Sequence, residues 1–165
     1  MKDMNTRFKR AIYPGTFDPI TVGHLDIISR AYRMFDELII SVADSKSKNP
    51  MFNLEQRVSM VKSATKDFPH IKVIGFNKLL VDLSNDLNSK IIIRGLRAIS
   101  DFEYELQMSY ANSSLDPNLE TIYLMPSLKH AFVSSSIVRT ILSFDGKIDH
   151  LVTPEVHSII KEIRK

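Results

Sequence analysis

Apolar residues along this chain fall into two rhythms. Short β-branched runs bounded by turn residues occupy residues 10–13, 37–42, 71–76, 90–94 and 121–125, and they predict five strands. Between the strands, apolar positions recur three and four residues apart: Leu25, Ile28, Ala31, Tyr32 and Phe35, then Leu54, Val58 and Val61, then Phe102, Leu106 and Tyr110. That spacing gathers each set on one face of a helix. After the fifth strand, Ile137, Val138, Ile141 and Leu142 predict a helix closing near Gly146. Thr153 before Pro154 then opens a last helix carrying Val156, Ile159, Ile160 and Ile163. Asn53 followed by Gln56, and Ser100 followed by Glu103, have the spacing of capping boxes and mark two helix starts.

Alternating strands and helices, with strands that are nearly all apolar, imply an α/β fold: a Rossmann-like five-stranded parallel sheet with helices on both faces and a helical C-terminal end. Ligands of such sheets gather outside the carboxyl ends of the strands. Residues 44–53 and 126–136 are longer polar connections than a tight turn needs, so both are candidate ligand loops. No repeat or long linker divides the 165 residues, which predict one domain with residues 1–9 as a flexible extension.

Charge and cysteine content narrow the function. The formal charge of +3 comes from 22 basic and 19 acidic residues without a long run of either sign, which gives no footprint for nucleic acid. With no cysteine, disulfides, thiolate metal sites and cysteine nucleophiles are excluded, and catalysis must use oxygen and nitrogen groups. No apolar stretch approaches the length of a membrane span, so a soluble cytoplasmic protein is expected.

The first strand runs into YPGTFDPITVGH, residues 13–24, a strand-loop-helix junction whose exposed N–H groups suit an anion and whose glycines are expected to admit a ligand. No Gly-Lys-Ser/Thr follows, and the glycines do not match the dinucleotide fingerprint, so both of those nucleotide loops are excluded. Singly, Pro14, Gly15 and Pro19 read as turn residues and His24 as a helix cap. Together the segment resembles the signature of the nucleotidyltransferase superfamily, with Thr21, Val22, Gly23 and His24 in place of its (H/T)xGH motif. Residues 133–139, VSSSIVR, resemble that superfamily's serine-rich helix start, where hydroxyls and unpaired N–H groups can meet phosphates. Capping alone would need one serine. Within the superfamily, Ser47-Lys48, RGLR at residues 94–97 and DFEYE at residues 101–105 resemble the phosphopantetheine adenylyltransferase family, and the likeness spans nearly everything after Arg10.

The resemblance implies attack by the phosphate of 4′-phosphopantetheine on the α-phosphorus of ATP. A phosphate monoester, with a second pKa of about 6, arrives mostly ionised, so no general base is required. Positioning and charge stabilisation remain for the protein. The family assigns His24 and Lys48 to catalysis. It assigns Thr16, Lys48, Leu80 and Arg94 to the phosphopantetheine side, with Leu79 beside Leu80. On the ATP side it implies Thr16, Phe17, His24, Gly95, Leu96, Arg97 and Glu105, together with His130, Ala131, Phe132, Val133, Ser134, Ser135 and Ser136. Mg2+ is implied by the polyphosphate, held by phosphate oxygens and water, with Asp18 and Glu105 as the carboxylates to watch. A homohexamer and feedback binding of coenzyme A are further implications. His130 stands where the family often has an aromatic, and Asp44 adds a negative charge after the second strand. Outside the resemblance, Lys48 reads as a solvated lysine, Glu105 as a surface charge, and Leu79 and Leu80 as packing. A non-catalytic nucleotide sensor is the competing reading, although it could dispense with His24 or Lys48. A nucleic-acid module would need a basic stripe with interleaved aromatics.

Overall fold

The computed structural model describes residues 8–97 and 99–165, with backbone alone for residues 99 and 100. Most of the expected N-terminal extension, residues 1–7, lies outside the described residues. The chain runs β1 (Arg10–Gly15), α1 (Val22–Tyr32), β2 (Glu37–Ala43), α2 (Leu54–Ala64), β3 (Ile71–Phe76), α3 (Leu80–Asp86), β4 (Ile91–Gly95), α4 (Ile99–Leu115), β5 (Glu120–Leu124), α5 (Ser135–Ser143) and α6 (Pro154–Ile163). Short 3-10 turns at Lys46–Lys48 and Leu128–His130 lie inside the two long polar loops.

All neighbouring strands are parallel, in the order β3-β2-β1-β4-β5. From β1 the chain winds outward to β2 and β3, then crosses to β4 and β5 on the other side. The carboxyl ends of β1 and β4 therefore flank the point where winding reverses, which is where an open parallel sheet leaves a crevice.

Alternation along the central strands builds two cores. Ala11, Tyr13 and Ile93 enter a large cluster with Ile27 and Ile28 of α1, Met60 and Val61 of α2, Val138 of α5, and Val156 and Ile160 of α6. Ile12 and Ile92, one residue out of phase, enter a smaller cluster with Val81 and Leu83 of α3 and with Leu119. Both faces of β1 and β4 are thus covered, which is why those strands read as unbroken apolar runs. Asn53 caps α2 as expected: its side chain accepts from the Gln56 N–H, and the Gln56 side chain accepts from the Asn53 N–H, both at 2.9 Å.

Three details depart from the expected pattern. Helix α3 is not foreseen, because seven residues are too few to establish a period and only packing of Val81, Leu83 and Ser84 makes it evident. Helix α4 begins at Ile99, so Ser100 is inside the helix rather than before it, and its side chain lies outside the described residues. On α4 the apolar stripe is not the buried face: Phe102 is 43% and Tyr110 is 68% exposed, while Glu105 and Ser109 turn inward. The reason is local to the site, since this helix lies along the crevice and turns Glu105 toward Arg94 there.

Candidate active site

Thr21 is the N-cap of α1, and its hydroxyl accepts from the His24 N–H at 3.3 Å. In return His24 Nδ1 accepts the Thr21 backbone N–H at 3.0 Å. An imidazole nitrogen that accepts an amide proton carries none itself, so the neutral ring holds its proton on Nε2. That Nε2–H has no partner among the described residues, and His24 lines the crevice. The ring packs edge-on against Phe17, centroids 5.1 Å apart, and Phe17 packs edge-on against Tyr13 at 5.3 Å. Burial, and then the positive charges of Arg97 and Arg94, depress the His24 pKa to about 3. The ring is therefore a neutral single-proton donor across the ordinary pH range. The ring thus closes the capping box through Nδ1 and keeps Nε2–H free of protein partners among the described residues.

The crevice has two chambers. One, of about 320 Å³, is lined by Thr16, Phe17, His24, Arg94, Gly95, Arg97, Glu105, Val133 and Ser135, together with Tyr13, Asp101 and Pro126. The other, of about 200 Å³, is lined by Thr16, Lys48, Leu80, Arg94 and Glu105, together with Ser45, Phe76, Met108 and Asn112. Thr16, Arg94, Tyr104 and Glu105 belong to both, so a molecule in either chamber meets the other at these residues. Leu96, His130, Ala131, Phe132, Ser134 and Ser136 are not among the residues lining either chamber. Leu79, expected beside Leu80 on the same wall, is exposed: it precedes the first turn of α3, which directs only Leu80 into the chamber.

Arg94 and Glu105, assigned to different substrates by the family resemblance, are joined. Arg94 Nε donates to Glu105 Oε2 at 2.6 Å, Nη2 pairs with Oε1, and Nη1 donates to the Pro14 carbonyl at 2.8 Å. Burial opposes the charge on Arg94, but the hydrogen bonds and attraction of Glu105 outweigh it and raise its pKa. Tyr123 Oη donates to the Glu105 carbonyl at 3.0 Å, fixing α4 over the strand ends. Burial likewise pushes the Tyr13 phenol up to about 12, against the pull of Arg94 and Arg97, so it stays neutral beside them.

The three serines divide their work. Ser134 Oγ accepts from the Ile137 N–H at 3.2 Å and caps α5; Ser135 Oγ donates to the Pro19 carbonyl at 2.8 Å; Ser136 Oγ accepts from Arg139 at 3.1 Å. Gly23 brings this segment close to α1, since a Cβ there would lie 3.1 Å from the Val133 carbonyl oxygen. At Gly15 the space of the missing Cβ is taken by the Phe17 ring, 2.9 Å away. Both glycines also line the crevice, so their missing side chains serve close packing and the crevice wall at once. His130 Nδ1 lies 3.5 Å from Asp26 and 3.2 Å from Ser127 Oγ, while Asp26 accepts the Ser127 N–H at 2.9 Å.

Neither watched carboxylate is disposed to bind a metal. Asp18 accepts the Met51 and Phe52 N–H groups at 2.8 and 3.0 Å and lies 3.6 Å from Arg139, and Glu105 is engaged by Arg94. Among the described residues no three histidine, aspartate or glutamate side chains cluster as metal ligands. No helix of the described chain is long and apolar enough to cross a membrane.

Sequence reasoning missed Tyr104, Met108 and Asn112, which line the second chamber at a spacing of four along α4. That spacing is itself a signal, hidden by the more apolar neighbouring stripe. It also missed Arg57, which an isolated helical pattern presents as a solvated charge.

A family model for cytidylyltransferase-like proteins matches residues 12–141. The chain is 60% identical over 149 residues to the phosphopantetheine adenylyltransferase of Nautilia profundicola, covering 90% of this chain and 97% of that protein. It is 57% identical over 156 residues to that of Wolinella succinogenes, covering 94% and 97%, and 52% identical over 155 residues to that of Helicobacter pylori strain J99, covering 94% and 99%. With the parallel sheet, the motif on α1 and the two-chambered crevice in place, the chain belongs to the phosphopantetheine adenylyltransferase family of cytidylyltransferase-like nucleotidyltransferases.

Proposed function

We propose that this protein transfers the adenylyl group of ATP to 4′-phosphopantetheine, giving dephospho-coenzyme A and pyrophosphate. The phosphopantetheine phosphate oxygen forms a bond to the α-phosphorus, the bond from that phosphorus to the bridging oxygen breaks in line, and pyrophosphate leaves. The observation that carries the reading is the pair of chambers joined at Thr16 and Arg94, with a neutral His24 beside the junction.

ATP is assigned to the chamber of His24, Gly95 and Arg97, with its polyphosphate toward the first turn of α5 and with Leu96 and residues 130–136 around the nucleotide. Phosphopantetheine is assigned to the chamber of Lys48 and Leu80, where Phe76 and Met108 offer apolar wall to a pantetheine arm. Thr16 and Lys48 hold the incoming phosphate, and Lys48, exposed on its loop, can follow the charge toward the α-phosphate. His24 Nε2–H donates to the α-phosphoryl oxygen as its charge grows, which is worth most where the donor needs no reorganisation. Glu105, on the wall of the ATP chamber, is a polar anchor on that side and also holds Arg94 in place. Magnesium, bound with the polyphosphate, would supply charge neutralisation there. Phe102 and Tyr110, apolar residues exposed on α4, are compatible with subunit packing in a homohexamer, and two chambers that meet at Thr16 and Arg94 suit coenzyme A as a feedback ligand.

The test is pyrophosphate release from ATP, magnesium and 4′-phosphopantetheine, with nicotinate mononucleotide in parallel. Release that requires phosphopantetheine is expected. Release with nicotinate mononucleotide alone, or ATP binding without turnover of either acceptor, would replace the reading with a sister enzyme or a nucleotide sensor.

A further inference from the structure

By volume the foremost fully buried side chain of the described residues is a cation, Arg57 on α2, at 0% exposure. Its guanidinium is satisfied by carbonyls. Nε donates to Phe52 O at 2.8 Å, Nη1 to Thr16 O and Ala43 O at 2.7 Å each, and Nη2 to Asp44 O at 2.9 Å. Burying a charge is expensive even when it is hydrogen-bonded, so packing alone does not account for an arginine here.

The choice of acceptors does. Thr16 O belongs to the peptide preceding Phe17, and Asp44 O to the peptide preceding Ser45. Phe17 and Ser45 are both non-glycine residues in the left-handed region, at φ 48° and 51°. Such conformations persist where the surroundings over-determine them. Because the peptide is planar, fixing a carbonyl also fixes the plane about which the next residue turns. One guanidinium thus pins the plane that precedes a left-handed residue in each of two loops, and those loops present Thr16 and Lys48. Around the same junction, Thr16 Oγ1 lies 3.2 Å from Ser45 Oγ, and Asp18 of the first loop holds the Met51 and Phe52 amides at the far end of the second.

We infer that Arg57 is a positioning residue that sets the spacing of Thr16 and Lys48 for the incoming phosphate by clamping the carbonyls of Thr16 and Asp44. The inference rests on the proposed assignment of those two side chains to phosphopantetheine. A lysine keeps the charge but lacks the planar fork that reaches four carbonyls.

Wild type, Arg57→Lys, Lys48→Ala and the double variant are compared for pyrophosphate release, ATP affinity by calorimetry and folding by circular dichroism. Arg57→Lys is expected to reduce kcat/KM for phosphopantetheine by roughly tenfold or more, through misplaced phosphate contacts. ATP affinity should stay within about threefold, and the same change in the Lys48→Ala background should cost less than about threefold because the two act as one unit. Equal losses toward both substrates, or a loss undiminished in the Lys48→Ala background, would overturn the inference while the functional reading stands. A wild type that binds ATP but leaves phosphopantetheine unreacted would overturn both. Ser45→Gly is read against Ser45→Ala, which removes the same hydroxyl from beside Thr16 but keeps the Cβ. The glycine frees the same peptide and should raise the phosphopantetheine KM about threefold above that of the alanine variant, with ATP affinity unchanged. A KM equal to that of the alanine variant would overturn the inference whether or not Arg57→Lys folds.

Discussion

Substituting His24 separates two jobs that one ring performs. Asparagine at this position can put its carbonyl oxygen where Nδ1 now accepts the Thr21 N–H at 3.0 Å, but it has no donor at the site of Nε2. His24→Asn should therefore keep the α1 cap, whose full loss would cost about 1 kcal/mol of stability. Removing a donor aimed at developing charge typically costs about 3 kcal/mol of transition-state stabilisation, roughly a hundredfold in kcat. His24→Gln inverts the exchange, placing an amide donor near Nε2 and leaving the Thr21 N–H without its partner. It should retain more activity than His24→Asn while losing more stability. The assays are steady-state pyrophosphate release at saturating ATP and urea denaturation of the same preparations. Because the wild-type pKa is about 3, no limb from this histidine should appear in kcat between pH 5 and 9. Ionisation of the substrate phosphate near pH 6 would show in kcat/KM for wild type and variant alike. A His24→Asn protein within threefold of wild type, or a kcat limb near pH 6.5 that vanishes in the variant, would refute a neutral histidine donor.

The same depressed pKa makes stability depend on pH. The unfolded state, with an ordinary histidine pKa of about 6.5, binds the proton that the folded state refuses, so the contribution is complete above pH 6.5 and is lost as pH falls toward 3. Between pH 7 and pH 5 wild type should lose roughly 2 kcal/mol more than His24→Asn, read from urea midpoints. Arg94→Lys keeps the charge but gives up the paired contact with Glu105 and the bond to Pro14 O; the phosphopantetheine KM should rise by about tenfold in steady-state assays. Ser134→Ala removes the α5 cap and should cost about 1 kcal/mol in urea melts, whereas Ser136→Ala, at an exposed position, should leave stability within about 0.5 kcal/mol and weaken ATP binding by calorimetry. Asn53→Ala breaks the capping box of α2 and should cost about 1 kcal/mol of stability with little change in ATP affinity.

Local rules made much of this protein legible from its sequence. Strand runs such as residues 71–76, the period of α1 and α2, the Asn53 cap and the Pro154 helix start depend on neighbours within a few positions, and each is found where that chemistry predicts it. The motif around His24 and the serines before α5 were legible through a family resemblance, and both lie at helix starts, where Thr21 and Ser134 are the caps. Distant neighbours decided the rest. Helix α3 is too short to announce itself and exists where Val81 and Leu83 find the sheet. Glu105 faces inward because Arg94, eleven residues earlier, waits there, and the apolar stripe of α4 is turned outward as a consequence. Asp18 is withdrawn from metal binding by amides thirty-three and thirty-four residues away. Arg57 shows the limit most plainly: a helical arginine reads as solvated until the fold brings four carbonyls from three separate stretches of chain around it. Periodicity and capping are properties of adjacent residues, whereas burial, ion pairing and the choice of hydrogen-bond partner exist only once the sheet has closed.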